Sequence, residues 1–157
     1  DVVALYAAAS AMGYGLAVSG AALWLASSLI NLLPDMLKHG TGLCVSTSFI
    51  TGILTNFMSD GATVAAVGPI TVPMATLSAT SPLMVGLATA FASSFAHMLV
   101  IGTPNNAIVF SMARDPETGE QLLTMKDFFI HGFAVFVLSL LVLWVWAFWG
   151  YWNWVTI

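Results

Sequence analysis

From residue 40 to residue 113 the chain carries no Lys, Arg or Glu and a single acid, Asp60, flanked by Ser59 and Gly61. So long a stretch with one formal charge has no solvated face to offer and points to membrane-embedded helices. A charge near mid-bilayer costs roughly 2.5–3.5 kcal/mol on insertion scales, so an acid at that depth is by default a functional residue. Residues 53–69, centred on Asp60, are therefore the stretch around which the other segments are read.

The remainder of the chain agrees. Only 6% of its 157 residues are charged and its mean hydropathy is +0.95, against about 25% charged residues in soluble domains. At about 20 apolar residues per spanning helix, the length allows about four to five embedded segments. The net charge of −4 offers no basic patch, which argues against nucleic acid as a partner. Cys44 is the single cysteine and cannot form an internal disulfide. Residue 1 is Asp, and neither a charged leader nor a small-residue cleavage site opens the chain, so the expectation is a piece of a longer protein.

Residues 2–33 form a charge-free run too long for one perpendicular span, and Gly13, Gly15, Ser19 and Gly20 loosen its middle. The reading is a spanning helix followed by an interfacial one, in which Ser27, Ser28 and Asn31 share a face and Trp24 anchors. One long tilted helix is the alternative. Pro34, Asp35, Lys38, His39 and Gly40 then make a polar loop.

Residues 41–79 admit two readings. Either two full spans meet at a surface turn, or the segment is a re-entrant hairpin whose tip, Ser59–Asp60–Gly61, stops inside the membrane. The hairpin is favoured because no Lys, Arg, Trp or Tyr anchors the turn. Ser46, Thr47, Ser48, Thr51 and Thr55 crowd the first arm, and Gly68, Pro69 and Pro73 interrupt the second, where proline breaks a helix interior. Irregular backbone survives at depth only where protein buries it or a wet cavity borders it.

Residues 83–113 are a second long apolar run, with Gly102, Thr103, Pro104, Asn105 and Asn106 at mid-span. The helix is expected to unwind there, leaving free carbonyls on one side and free amides on the other, as in discontinuous transporter helices. A satisfied proline kink is the alternative. Residues 114–127 form the one long hydrophilic loop, and residues 128–154 a last span ending in Trp144, Trp146, Phe148, Trp149, Tyr151, Trp152 and Trp154, read as an interfacial belt. Arg114 and Lys126 against Lys38 place that loop in the cytoplasm.

The stretches LTNFMSDGATVAAVGPI and SSFAHMLVIGTPNNAIVF resemble the C-terminal repeat of the divalent anion/sodium symporters, a family of the ion transporter superfamily. Residues 20–26 look like that family's interfacial helix, and MKDFF with the following span like its last helix. The resemblance implies an all-α integral membrane protein, a transporter half-repeat with one re-entrant hairpin and one discontinuous transmembrane helix. Residues 1–157 would then be one membrane domain that performs sodium-coupled symport of a small anion, such as a dicarboxylate or sulfate, by an elevator mechanism.

It also implies a site. Ser59, Gly61, Thr103 and Asn105 would touch the anion. Thr55, the Met58 carbonyl, Asp60, Gly102, Thr103 and Asn106 would hold Na+, a hard cation suited to oxygen ligands. The implied partners are the N-terminal repeat of the same or another chain, membrane lipid and a second copy in a homodimer, in the cell (inner) membrane with several passes. The chain departs from the family where the tip usually reads Ser-Asn-Thr: Asp60 adds a carboxylate and Gly61 deletes a hydroxyl. Val100 also replaces a proline, and His97 an aromatic residue. Asp60 would therefore either hold sodium more tightly or carry a proton. Proton coupling, and a non-transporting subunit that needs a partner repeat, are the alternatives. An enzyme is not expected, since Ser59 lacks a G-x-S-x-G turn and no H-E-x-x-H is present.

Overall fold

The computed structural model describes residues 2–155; Asp1, Thr156 and Ile157, the outer limits of the expected domain, lie outside the described residues. Helix α1 (Val2–Val18) stops at Ser19 and Gly20, and α2 (Ala21–Leu32) leaves at 80° to it. Gly20 has φ 75°, a left-handed conformation that glycine adopts without penalty. In α2 the Ser27 and Ser28 hydroxyls both donate to the Trp24 carbonyl, at 2.9 and 2.8 Å, so they spend their polarity inside the helix. Ala22 and Ala26 are buried, whereas Trp24 is exposed.

A 3-10 turn (Asp35–Leu37) leads into α3 (Gly40–Leu54), which a five-residue turn joins to α4 (Asp60–Leu77). The start of α3 is tied to the end of α4. His39 Nδ1 lies 3.0 Å from the Ser78 carbonyl, and the Gly40 amide donates to Thr80 Oγ1 at 2.8 Å. The two helices thus run antiparallel from a common base. The hydroxyls of α3 turn inward: Ser46, Thr47 and Thr51 each donate to the carbonyl four residues earlier, which hides them in a buried face.

One expectation is corrected here. Pro69 and Pro73 do not interrupt the second arm; α4 runs unbroken through both. A Cβ on Gly13 of α1 would stand 3.0 Å from the Pro69 ring, so α1 offers a glycine notch to the side chain that would otherwise be crowded.

Helix α5 (Pro82–Ser93) starts with proline at its first position, where the missing N–H costs nothing. It packs against both α3 and α4, and Thr89 Oγ1 donates to Thr71 Oγ1 of α4 at 3.0 Å. The core joins Leu43, Cys44, Met74, Ala75, Val85, Ala88 and Ala92, mostly small side chains that let helices approach closely. Residues 94–103 are not helical, and α6 (Pro104–Met112) follows. The helical break therefore lies earlier than 102–106: Asn105 and Asn106 sit within α6. Pro104 opens that helix, with Thr103 as its cap.

No strand occurs among the described residues; Arg114 and Gln121 form an isolated bridge in the loop. A capping box of Thr124 and Asp127 starts α7 (Met125–Val142), which continues as a π-helix (Leu143–Tyr151) and ends in α8 (Trp152–Val155). Met125–Tyr151, at 27 residues, is the one helix among the described residues long and apolar enough to cross a membrane by itself; its length is about 40 Å. The aromatic end is not a uniform belt. Phe148 and Trp152 are buried in the core, and Trp144 Nε1 donates to Ser48 Oγ of α3 at 2.9 Å. Trp146, Trp149, Tyr151 and Trp154 face outward. The π-helical stretch packs on α3 and adds Leu143 and Phe148 to the core, which the aromatic count alone could not convey.

Candidate functional site

The turn after α3 and the segment after α5 meet. Thr55 ends α3, and its buried hydroxyl donates to the Ser93 carbonyl at the end of α5. The same oxygen stands 3.3 Å from Asp60 Oδ1. Asp60 is the first residue of α4, and Ser59 caps it by accepting from the Ala62 amide at 3.4 Å. The carboxylate thus sits at the positive end of the α4 dipole. A cavity of about 460 Å³ opens beside it, lined by Asp60, Gly61 and Ser93 together with Ser10, Gly13 and Tyr14 of α1.

The non-helical segment owes its path to side chains from elsewhere. Asn56, fully buried, accepts from the Met98 amide through Oδ1 at 2.8 Å. Its Nδ2 donates to the Gly52 carbonyl at 2.7 Å and, at 3.5 Å, to the Phe95 carbonyl. From the other side Asn106 Nδ2 donates to the Ala96 and Leu99 carbonyls, at 2.6 and 3.0 Å. Gly102 is buried, and a Cβ there would meet the Asn56 carbonyl oxygen at 3.3 Å. A Cβ on Gly132 of α7 would run into the His97 carbonyl oxygen, so only glycine lets α7 lie against this backbone.

The residues expected to bind ligands therefore fall into groups. Thr55 and Asp60 are together, with Gly61 on the same cavity. Met58 is half-buried in the turn, and Ser59 is exposed and occupied in capping. Gly102 lies against Asn56. Thr103 accepts from the Asn106 amide at 3.2 Å as the cap of α6, and Asn106 holds the non-helical backbone. Asn105 is exposed. His97 stacks on Phe95 with ring centroids 6.1 Å apart.

Three contributors were not singled out from the sequence: Asn56, the Ser93 carbonyl and Gly132. Asn56 carried a signal, an amide next to Thr55 inside an apolar run. The other two carried none, since a carbonyl and a glycine acquire their roles only through distant partners. Among the described residues no three His, Cys, Asp or Glu side chains converge as metal ligands. A cation here would rely on hydroxyl, carbonyl and single-carboxylate oxygens, the donor set of a hard ion.

The profile of a family described as Citrate transporter matches residues 1–155. Solute carrier family 13 member 1 of Rattus norvegicus is 32% identical over 113 residues, 71% of this chain and 18% of that protein. The Sodium-dependent dicarboxylate transporter SdcS of Staphylococcus saprophyticus is 32% identical over 142 residues, 90% of this chain and 25% of its own length. Solute carrier family 13 member 4 of Homo sapiens is 27% identical over 147 residues, 92% of this chain and 21% of its own. The chain thus spans a quarter or less of these relatives' length. No solved structure matches it.

Proposed function

The chain belongs to the citrate transporter family, among the divalent anion/sodium symporters, an integral-membrane transporter family and not an enzyme family; from that premise we propose that it forms one half of a Na+-coupled anion carrier. In this reading α3 and α4 are a re-entrant hairpin, α5 and α6 the halves of a discontinuous transmembrane helix, and α7 a full span. The carrier is completed by the N-terminal repeat, works by an elevator motion, and is a homodimer in the cell (inner) membrane. Its substrate is a small anion of the citrate, dicarboxylate or sulfate class.

One observation carries the proposal. Thr55 Oγ1, the Ser93 carbonyl and Asp60 Oδ1 come together around a single hydrogen, that of Thr55. A hydroxyl has one hydrogen to give. With the Ser93 carbonyl taking it, an ionised Asp60 faces oxygen lone pairs and lacks a donor from this residue. A cation among these oxygens removes the conflict. Gly61 and the cavity beside Asp60 leave room next to it for an anion, whose charge the cation offsets. That pairing makes anion and cation bind together, which is what symport requires.

The same geometry favours a second reading, because a proton on Asp60 would donate to Thr55 Oγ1 and resolve the conflict equally well. Uptake of radiolabelled citrate, succinate and sulfate into proteoliposomes separates the two. With Na+ at the site, Asp60→Asn raises the Na+ concentration for half-maximal uptake and leaves the response to a pH gradient alone. With a proton there, it abolishes the response to a pH gradient. Unchanged coupling to both ions would remove Asp60 from the mechanism.

A further inference from the structure

Asn56 lies outside every ligand set considered above, yet more of the junction passes through it than through any of those residues. Its amide uses both ends: Oδ1 holds the Met98 amide, while Nδ2 holds the Gly52 carbonyl and reaches the Phe95 carbonyl. Its own backbone carbonyl forms the floor on which Gly102 rests. Thr55, one residue earlier, grips the Ser93 carbonyl. Two consecutive residues of the turn therefore fix the segment after α5 at two places, Thr55 at its start and Asn56 along residues 95–102.

Only a side-chain amide can do this. A carboxylate of the same shape would keep the acceptor for Met98 and lose both donors, and a hydroxyl could not span the distances. The side chain is fully buried.

We infer that Asn56 is a positioning residue for cation binding: it sets the separation between the Thr55–Asp60 oxygens and the backbone of residues 93–102, and hence the affinity for the coupling cation. The inference rests on the proposed transport function. It adds a residue that touches neither ion nor anion and acts through Thr55 and the Ser93 carbonyl. A group that orients ligands without being one typically changes metal affinity about 10- to 100-fold when removed.

The test uses the complete transporter in proteoliposomes, with radiolabelled citrate, succinate and sulfate as probes. Wild-type uptake is titrated first with Na+ and with pH, and the cation that drives it is then titrated in Asn56→Asp and Asn56→Ala. Each variant is normalised to folded protein by size-exclusion profile. The expected result is a rise in half-saturating cation of about 10-fold or more in both variants, with anion KM at saturating cation nearly unchanged. A purely structural role would lower the yield of folded protein or the maximal rate and leave half-saturation where it was; that outcome, or no change, overturns the inference. A wild type whose uptake responds to neither ion overturns the transport reading itself, and is visible before any variant is made.

Discussion

Two non-helical segments of similar length interrupt the helices, residues 94–103 and residues 113–124, and they are held in opposite ways. The second closes largely on itself, with Gln121 Nε2 also donating to the Phe110 carbonyl of α6 at 2.6 Å. Asp115 Oδ1 accepts from the Glu117 and Thr118 amides at 2.7 and 3.0 Å, the Asp115 amide donates to the Glu120 carbonyl, and the Leu122 amide to that of Ala113. The first makes some short turns of its own, such as Gly102 to Leu99, but takes its main partners from the α3–α4 turn and from α6. A loop in water can rely on local bonds because solvent satisfies the rest. A break among apolar helices has no such reserve, so it leans on side chains from neighbouring elements, as the Phe95, Ala96 and Leu99 carbonyls do here. That dependence makes residues 94–103 sensitive to changes far away in sequence.

The strongest way to break this contrast is to remove a borrowed side chain. Asn106→Leu keeps the approximate volume but leaves the Ala96 carbonyl without its donor, at about 1–3 kcal/mol for a buried group so orphaned, and leaves the Leu99 carbonyl with the Gly102 amide alone. Thermal unfolding in detergent should show a clear loss of stability, and uptake should fall with it. If stability is unchanged, the segment is not held by borrowed partners and the contrast fails. A comparable effect is expected from Gly132→Ala, where the added methyl would overlap the His97 carbonyl oxygen. Overpacking of that kind costs about 1–3 kcal/mol. Hydrogen exchange should then quicken at the Met98 and Gly102 amides, while protection of Glu117 and Thr118 in the outer loop stays the same.

The same contrast explains what could be read from the sequence. The hydrophilic loop was visible because its charges and its Asp115-Pro116 start act locally. The approximate position of a break was visible in Gly102 to Asn106, yet its extent was misplaced. Proline in an apolar run predicts the point where a helix fails, whereas Pro104 begins one and Pro69 and Pro73 stay inside one. Which role a proline takes depends on whether neighbours accept the freed carbonyls and the ring, as Gly13 does for Pro69. Asp60 stood out as a lone acid, but its proximity to Thr55 spans the turn, outside any helical period. Asn56 and Gly132 acquire their roles from residues 42 positions away and from a backbone carbonyl respectively, neither of which leaves a pattern along the chain.

The smallest expected effect lies in the self-contained loop and tests its independence. Hydrogen bonds from the Thr118 and Glu117 amides hold the Asp115 carboxyl below the usual carboxylate range. A folded-state value below the unfolded one means that the ionised form supports the turn. Its contribution is complete above the unfolded value, about 3.9, and is lost as the pH falls through the lower folded value. Protection factors of the Glu117 and Thr118 amides should therefore stay level from neutral pH down to about 4 and drop below it. Asp115→Ala should remove the protection at every pH, and Asp115→Asn should remove its pH dependence. In both variants the Met98 and Gly102 amides should exchange as in the wild type, because nothing in the loop reaches the side chains that hold residues 94–103. A parallel loss of protection in the two segments would mean that they unfold as one unit, and that the difference in how they are held has no energetic consequence.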